Sequence, residues 1–412
     1  MSRYKTGPEN RWNDSMTTIQ HPFSLDEDIE RGDVPALKVH PRVLGEGSDS
    51  LFAAGVADMD FKAPPAVLAA LQRRLDHAVF GYEAVPDGLM PALTKWLWTR
   101  HDWRVDRKHI LRAPNVLNAL AIAAVLFTKE GDGVIVQPPV FFDFFDILRE
   151  NHRHLVRNPL ILDNDGYRMD FDDLERKASN PRTKLIYLCN PHNPVGRVWT
   201  PRELTTLGDI CAHHGVVVVS DEIHGDVSFS GHKYTPFASL GPTNASNCIT
   251  CLSPAKSFNI ASCCCAFTVI TDDEKRAVFE AENSRLTVNK NNAFANVAME
   301  AAYRDGASWL GEVLAYLETN VDLVSDRLED IAGVELVKPE GTFLIWLDFR
   351  KLGLAPDDLM KFLRERGKWV VTRGHAFGEE GAGFARVNIA CTRGRLEAAL
   401  QQLSDAVATL YT

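Results

Sequence analysis

The sequence predicts an α/β protein, with a large domain around a mainly parallel sheet and a smaller α+β domain after it. Three observations carry that expectation. Between about residues 65 and 305, helical stretches alternate with short apolar runs rich in β-branched residues. The segment 200–220 holds every signal of a helix feeding a strand. Beyond residue 305 the pattern changes to one long amphipathic helix followed by extended segments and two more helices.

The apolar runs fall at 133–137, 184–189, 216–220, 248–253 and 266–270. Each has strand length. In the 200–220 segment Thr200 can cap a helix, Pro201 suits its first position and Glu203 completes a capping box. Leu204, Leu207, Ile210 and Cys211 recur on one face, and Gly215 supplies a left-handed stop. Past these units a helix is expected over 308–331, extended segments over 342–348 and 384–389, and helices over 356–366 and 393–410. The division is an N-terminal arm over 1–50, a large domain over 51–305 and a small one over 306–412, with the arm packing on the small domain. No repeat or low-complexity tract interrupts it.

Bulk composition narrows the function. The 412 residues are 45% apolar and 24% charged, which suits a globular chain. A net charge of −10 repels phosphate backbones, so nucleic acid is not an expected partner. The start is polar and unlike a secretory signal. The longest apolar stretches, such as 119–127, are too short for a bilayer. No membrane partner and a cytoplasmic location are therefore expected. Eight cysteines in such a chain read as thiols. Cys248 and Cys251 form a C-x-x-C, but no second pair or spaced histidines accompany it, so no metal is expected.

Open parallel sheets bind ligands just past the carboxyl ends of their strands. After 184–189 come Asn190, Pro191, His192, Asn193 and Pro194; after 216–220 come Asp221, Glu222, Ile223 and His224; after 248–253 come Pro254, Ala255, Lys256 and Ser257. An Asn, an Asp and a Lys thus reach one rim. A lysine can form a Schiff base with an aldehyde. A carboxylate can keep a pyridine nitrogen protonated, and an amide can donate to a ring oxygen. Singly, Asp221 reads as a helix cap, Asn193 as a turn residue between prolines, Lys256 as a surface lysine and His224 as a satisfied polar side chain. Their order and spacing point instead to a pyridine-aldehyde cofactor.

With those residues in view, the chain resembles the fold type I enzymes of pyridoxal 5′-phosphate (PLP), in the class I/II aminotransferase superfamily. Within it, the chain resembles the cystathionine β-lyase (C–S lyase) branch. The matching segments are VADMDF (56–61), FGYEAVPDG (80–88), VQPPVFFDFF (136–145), CNPHNPVGR (189–197), SDEIHGD (220–226), HKYTPFASL (232–240), SPAKSFNIA (253–261) and FARVNIAC (384–391). They run from about residue 50 to the end. The Ser-x-x-Lys of penicillin-binding enzymes also fits Ser253 to Lys256, but the Lys-Thr-Gly at 5–7 lies on the wrong side and Ser-Asp-Asn is absent.

The resemblance implies a PLP-dependent transferase-like large domain and a homodimer with a shared active site. Lys256 would hold the cofactor and act as the base, and Asp221 would pair with the ring nitrogen. Asn193 would meet the ring oxygen, with His224 near the same edge, and Phe141 would stack on the ring. Ser253 and the helix opened by Val116, Leu117 and Asn118 would hold the phosphate, joined by Tyr82 from the partner subunit. Arg386 would bind the carboxylate of a small amino-acid substrate, in a substrate pocket that includes Gly55, Ala57 and His375.

The sequence departs from the branch where Gly55 replaces a Trp and Phe141 a Tyr. The N-terminal segment is reduced to 31–40 with Lys38 retained. Residues 261–265 read Ala-Ser-Cys-Cys-Cys, for which packing is expected, and Arg373-Gly374-His375 stands where Pro-Gly is usual. The implied reaction is α,β-elimination from a cysteine S-conjugate or cystathionine-like amino acid, giving a thiol, pyruvate and ammonia. Transamination is the main rival. Decarboxylation or aldehyde formation on an S-linked amino acid and a PLP-binding regulatory protein are further alternatives.

Overall fold

In the computed structural model, which describes residues 24–32, 34–45 and 50–411, the five apolar runs become strands of one seven-stranded sheet. The Lys-Thr-Gly at 5–7 and most of the N-terminal arm lie outside the described residues. In chain order the strands are β1 (Ile110–Ala113), β2 (Gly133–Val136), β3 (His154–Arg157), β4 (Thr183–Cys189), β5 (Val217–Asp221), β6 (Cys248–Leu252) and β7 (Ala266–Val269). Their order across the sheet is β1-β7-β6-β5-β4-β2-β3. β7 is antiparallel to both neighbours; every other pairing in this sheet is parallel. Strands β2 and β6 are buried on both faces, as a sheet covered by helices requires.

Four helices matter for the site: α1 (Val116–Phe127), α2 (Asp143–Glu150), α3 (Pro201–His213) and α4 (Ala307–Leu328). α3 starts where expected. The Thr200 hydroxyl accepts the Glu203 N–H, and the Glu203 carboxylate accepts the Thr200 N–H. Leu204, Leu207 and Cys211 are buried, and Gly215 ends the turn at φ +67°. Cys248 and Cys251 stand three residues apart on β6, so they leave on opposite faces. They enter two different apolar clusters. That geometry keeps the pair from gripping one ion.

The later segments form a four-stranded antiparallel sheet of β8 (Glu335–Val337), β9 (Leu344–Asp348), β10 (Thr372–Arg373) and β11 (Phe384–Asn388), in the order β8-β9-β11-β10. Asn320 of α4 is buried and donates to the carbonyls of Ile389 (2.9 Å) and Cys391 (3.1 Å). That contact ties the long helix to the end of β11.

The first described residues pack against this later region. Thr392 donates to Asp28 (2.6 Å), and Phe52–Ala53 pairs in parallel with Trp369–Val370. Lys38 is only 2% exposed. Its ammonium pairs with Asp60 (2.9 Å) and donates to the Asp58 carbonyl (3.3 Å), while Arg31 bridges Asp58 (2.9 Å) and Asp60 (2.6 Å). Burial pushes the Asp60 carboxyl up, but Lys38 and Arg31 together hold it below the usual carboxylate range. Such an acid stabilises the fold above its unfolded pKa, and that stability is lost as pH falls through the lower folded value. Lys38→Ala is expected to cost about 2–3 kcal/mol in urea unfolding at neutral pH, since Arg31 still pairs. The variant should also lose less stability than the native chain on acidification.

Candidate active site

Parallel pairing brings the expected residues to one rim. Cys189 is level with Asp221, and Asp221 with Cys251. The loops leaving β4 and β6 therefore flank Asp221 and carry Asn193 and Lys256. The turn after β1 leads to Asn115 and α1, and the loop after β2 leads to Phe141 and α2. Reversed β7 brings its start to the same rim, together with Cys264 and Cys265. Between them lies a cavity of about 360 Å³, lined by Ala57, Asn115, Val116, Leu117, Phe141, Asp143, Asn193, Asp221, His224, Ser253 and Lys256 among others.

The Lys256 ammonium donates to the Ala57 carbonyl (2.6 Å). Asn388 of β11 fixes that segment by donating to the carbonyls of Val56 (2.7 Å) and Asp58 (2.6 Å), while Asn259 accepts the Met59 N–H (3.0 Å). Burial, reinforced by Arg386, pushes the Lys256 pKa down to about 8. The amine is thus a much better nucleophile near neutrality than an ordinary lysine. In apoenzyme, cofactor uptake is expected to quicken with pH and level off near pH 8; stopped-flow measurement that found the plateau only above about pH 10 would contradict this.

Asp221 is buried, and its Oδ1 accepts the Ile223 N–H (3.1 Å). Burial pushes its carboxyl up to about 6. Among the described residues no cation pairs with it within 4 Å. The His224 ring is buried, and burial plus the charges of Lys256 and Arg386 push it down to about 3, so it stays neutral. Its Nδ1 has no hydrogen-bond partner among the described residues. Asn193 gives its carbonyl oxygen to Arg386 Nη1 (3.2 Å), which turns its NH₂ group away from the arginine.

Arg386 is buried and also donates through Nη2 to the Gly55 carbonyl (2.8 Å) and the Thr372 hydroxyl (3.3 Å). It lies over the Phe377 ring, 5.0 Å from the centroid. Its Nε has no partner, and no carboxylate among the described residues forms an ion pair with it. A buried cation held only by neutral acceptors suits an anionic ligand. At the other end, Asn115 caps α1 by accepting the Asn118 N–H (2.8 Å). The Val116 and Leu117 N–H groups open the helix without intrahelical partners and suit a phosphate.

This set fits pyridoxal 5′-phosphate. It offers an amine for the aldehyde, an enclosed carboxylate for the ring nitrogen and an amide for the ring oxygen. Phe141 offers an aromatic face, and the opening of α1 an anion site.

Residues 52–403 match the model of the family described as "Aminotransferase class I and II". The chain belongs to that family. It falls among the fold type I PLP enzymes, in the cystathionine β-lyase or C–S lyase branch. It is 42% identical over 353 residues to the cystathionine beta-lyase PatB of Bacillus subtilis, spanning 85% of this chain and 91% of that protein. Cystalysin from Treponema denticola, a structure that contains PLP, superposes with a TM-score of 0.91 at 30% identity, over 95% of this chain and 100% of that one. A PLP-bound putative aminotransferase from Clostridium difficile 630 also gives 0.91, at 38% identity, over 94% of this chain and 100% of that one.

Not every residue named from the family resemblance lines the cavity, and several make contacts of their own. Asn118 spends its N–H on the Asn115 cap, so Asn115, not foreseen, lines the cavity in its stead. The Ser253 hydroxyl donates to the Cys265 carbonyl (2.6 Å) and accepts the Ala255 N–H (3.0 Å). Gly55 contributes its carbonyl; a side chain there would lie against Val371 and Thr372 at ordinary contact distance. His375 is in the short turn Gly374–Phe377, where its Nε2 lies 3.4 Å from Arg373 Nη1, and it does not line the cavity. Tyr82 is fully exposed beside a separate groove of about 620 Å³ that includes Arg73, Arg74 and Arg304.

Of the three adjacent cysteines, Cys265 is buried as expected for packing, but Cys264 is exposed at φ +52° and borders the cavity. Sequence reasoning also missed Asp143 and Thr372. An Asn just before an apolar helix is a legible cap, so Asn115 was findable. Thr372 reaches Arg386 only through the pairing of β10 with β11 and has no local signature.

Proposed function

We propose that this chain is a PLP-dependent C–S lyase that acts on S-substituted cysteines or cystathionine-like amino acids. The observation that carries the reading is Arg386, a buried cation without a carboxylate partner among the described residues, hydrogen-bonded to Asn193 at the wall of the cavity that holds the Lys256 amine. That pairing suits an α-amino acid, and the 42% identity to a cystathionine beta-lyase favours the lyase. The cofactor supplies an aldehyde that takes the substrate amino group and a ring that accepts the electron pair released at Cα.

The chain does the rest. Arg386 binds the α-carboxylate and is itself held by Gly55 and Thr372. Asp221 keeps the ring nitrogen protonated, and Asn193, with its oxygen committed to Arg386, donates to the ring oxygen. Val116 and Leu117 hold the phosphate through their N–H groups, with Ser253 beside them. Lys256 would hold the cofactor through its amine and, when that amine is free, would be the base that takes the Cα proton. The Cβ–S bond then breaks and the thiolate leaves. Water completes the balance, so each substrate gives one thiol, one pyruvate and one ammonium. His224 packs at the ring edge and stays uncharged.

Exposed Tyr82, with Val79 and Phe80 also exposed beside it, supports a homodimer in which Tyr82 completes the partner's phosphate site. A second reading, aminotransferase, is favoured by the description of the 38% identical structure as a putative aminotransferase. Holoenzyme incubated with L-cystathionine or S-ethyl-L-cysteine separates the two. Pyruvate and free thiol without any added keto acid support the lyase. Strict dependence on a keto acid would overturn it.

A further inference from the structure

Asp143 is the first residue of α2, and its half-buried carboxylate lines the cavity that holds Lys256, Asn193 and Asp221. Among the described residues it forms no ion pair or hydrogen bond, although Arg386 and Lys256 lie near enough to act on it. Burial and the neighbouring Asp146 push its carboxyl up, and the two cations offset that only in part. Being first in a helix accounts for tolerance of an acid there. It does not account for an unpaired carboxylate at the wall of a substrate cavity.

Its place in the cavity is fixed. Phe142, the preceding residue, packs edge-on to Phe377 (centroids 5.6 Å apart), and Arg386 lies over that same Phe377 ring. The start of α2 is therefore at the Arg386 end of the cavity. On the lyase reading, the substrate's carboxylate goes to Arg386 and its amino group to the cofactor. Both main-chain charges are then satisfied. The group on sulfur is the part of the substrate that those two contacts leave free to reach Asp143 at the cavity wall.

We propose that Asp143 recognises a positively charged nitrogen on the sulfur substituent, so that the preferred leaving group is an aminothiol. This rests on the C–S lyase reading. Asp143 is a specificity residue and takes no part in bond breaking. A carboxylate there also disfavours substituents that end in an acid.

The test compares S-(2-aminoethyl)-L-cysteine with its neutral isostere S-propyl-L-cysteine, using holoenzyme and pyruvate release. The native enzyme is expected to favour the amine by about tenfold or more in kcat/KM, the scale of one charge-assisted hydrogen bond. Asp143→Asn should collapse that ratio, and Asp143→Glu should keep most of it. Calorimetry supplies a readout independent of turnover. It uses 3-(2-aminoethylsulfanyl)propanoate and 3-(propylsulfanyl)propanoate, which lack the α-amino group. The same preference should appear in Kd and vanish in Asp143→Asn. Pyruvate from both cysteines with equal ratios in native and variant enzyme overturns the Asp143 assignment and leaves the lyase reading intact. A Kd preference that depends on Asp143 without pyruvate from either cysteine does the reverse. If Asp143→Asn does not fold, absence of any native preference is enough to overturn the assignment.

Discussion

Lys256→Ala is expected to lower turnover by at least ~10³-fold, because one side chain both anchors the cofactor and moves the Cα proton. Borohydride reduction and mass spectrometry give the structural arm. In native enzyme the cofactor mass should be fixed on the peptide carrying Lys256, and in the variant on no peptide. A small primary amine added to the variant should restore part of the activity by replacing the missing base. The fold should survive, since among the described residues the Lys256 side chain makes one hydrogen bond, to the Ala57 carbonyl. Retention of both the covalent adduct and the turnover would remove Lys256 from its assigned role.

Asp221→Asn is expected to move activity and apoenzyme stability in opposite directions. The amide keeps an oxygen for the Ile223 N–H but cannot hold a ring nitrogen protonated. Turnover should fall by about 10²-fold or more, the scale of losing one charge-stabilising group in an enclosed site. The direction for stability comes from the sign of the pKa shift. Burial raises the folded carboxyl from 3.8 to about 6, so the folded chain binds the extra proton. The associated stability is present below about pH 4 and is lost as pH rises through 6. At pH 7 the native apoenzyme therefore carries a buried charge that Lys256 and the Ile223 N–H offset only in part. Removing it should stabilise apoenzyme by about 2 kcal/mol in urea unfolding. A destabilised Asn variant would mean that the carboxylate has a partner after all.

The α/β organisation was legible because its signals are local. The capping box at Thr200 and Glu203, the stop at Gly215 and the β-branched runs each specify an element within a few residues, and the strands form within a residue or two of the expected bounds. Asn193, Asp221 and Lys256 were legible for a related reason. In parallel strands, the residues just past each carboxyl end reach the same rim whatever the details of the loops. Phe141, Val116 and Leu117 obey the same rule. Arg386 is placed by resemblance, and nothing in its own neighbourhood in the chain says that it ends among neutral acceptors.

Residues whose role depends on a distant partner were not legible. The Asn118 N–H is taken by Asn115 because a cap competes for the same donors a phosphate would use. Cys264 turns outward because its left-handed backbone breaks the run into β7. Asp143 looks like the acid that any helix start accepts, until packing of Phe142 on Phe377 sets it beside Arg386. The sequence by itself determined the elements, their order and the three side chains at the rim, since backbone propensity and strand direction act over short distances. Only the tertiary structure decided which charges stand outside ion pairs among the described residues: Arg386 without a carboxylate, and Asp221 and Asp143 without a cation within pairing distance. Pairing is a matter of distances across the fold, and it is those unmatched charges that define what the cavity will accept.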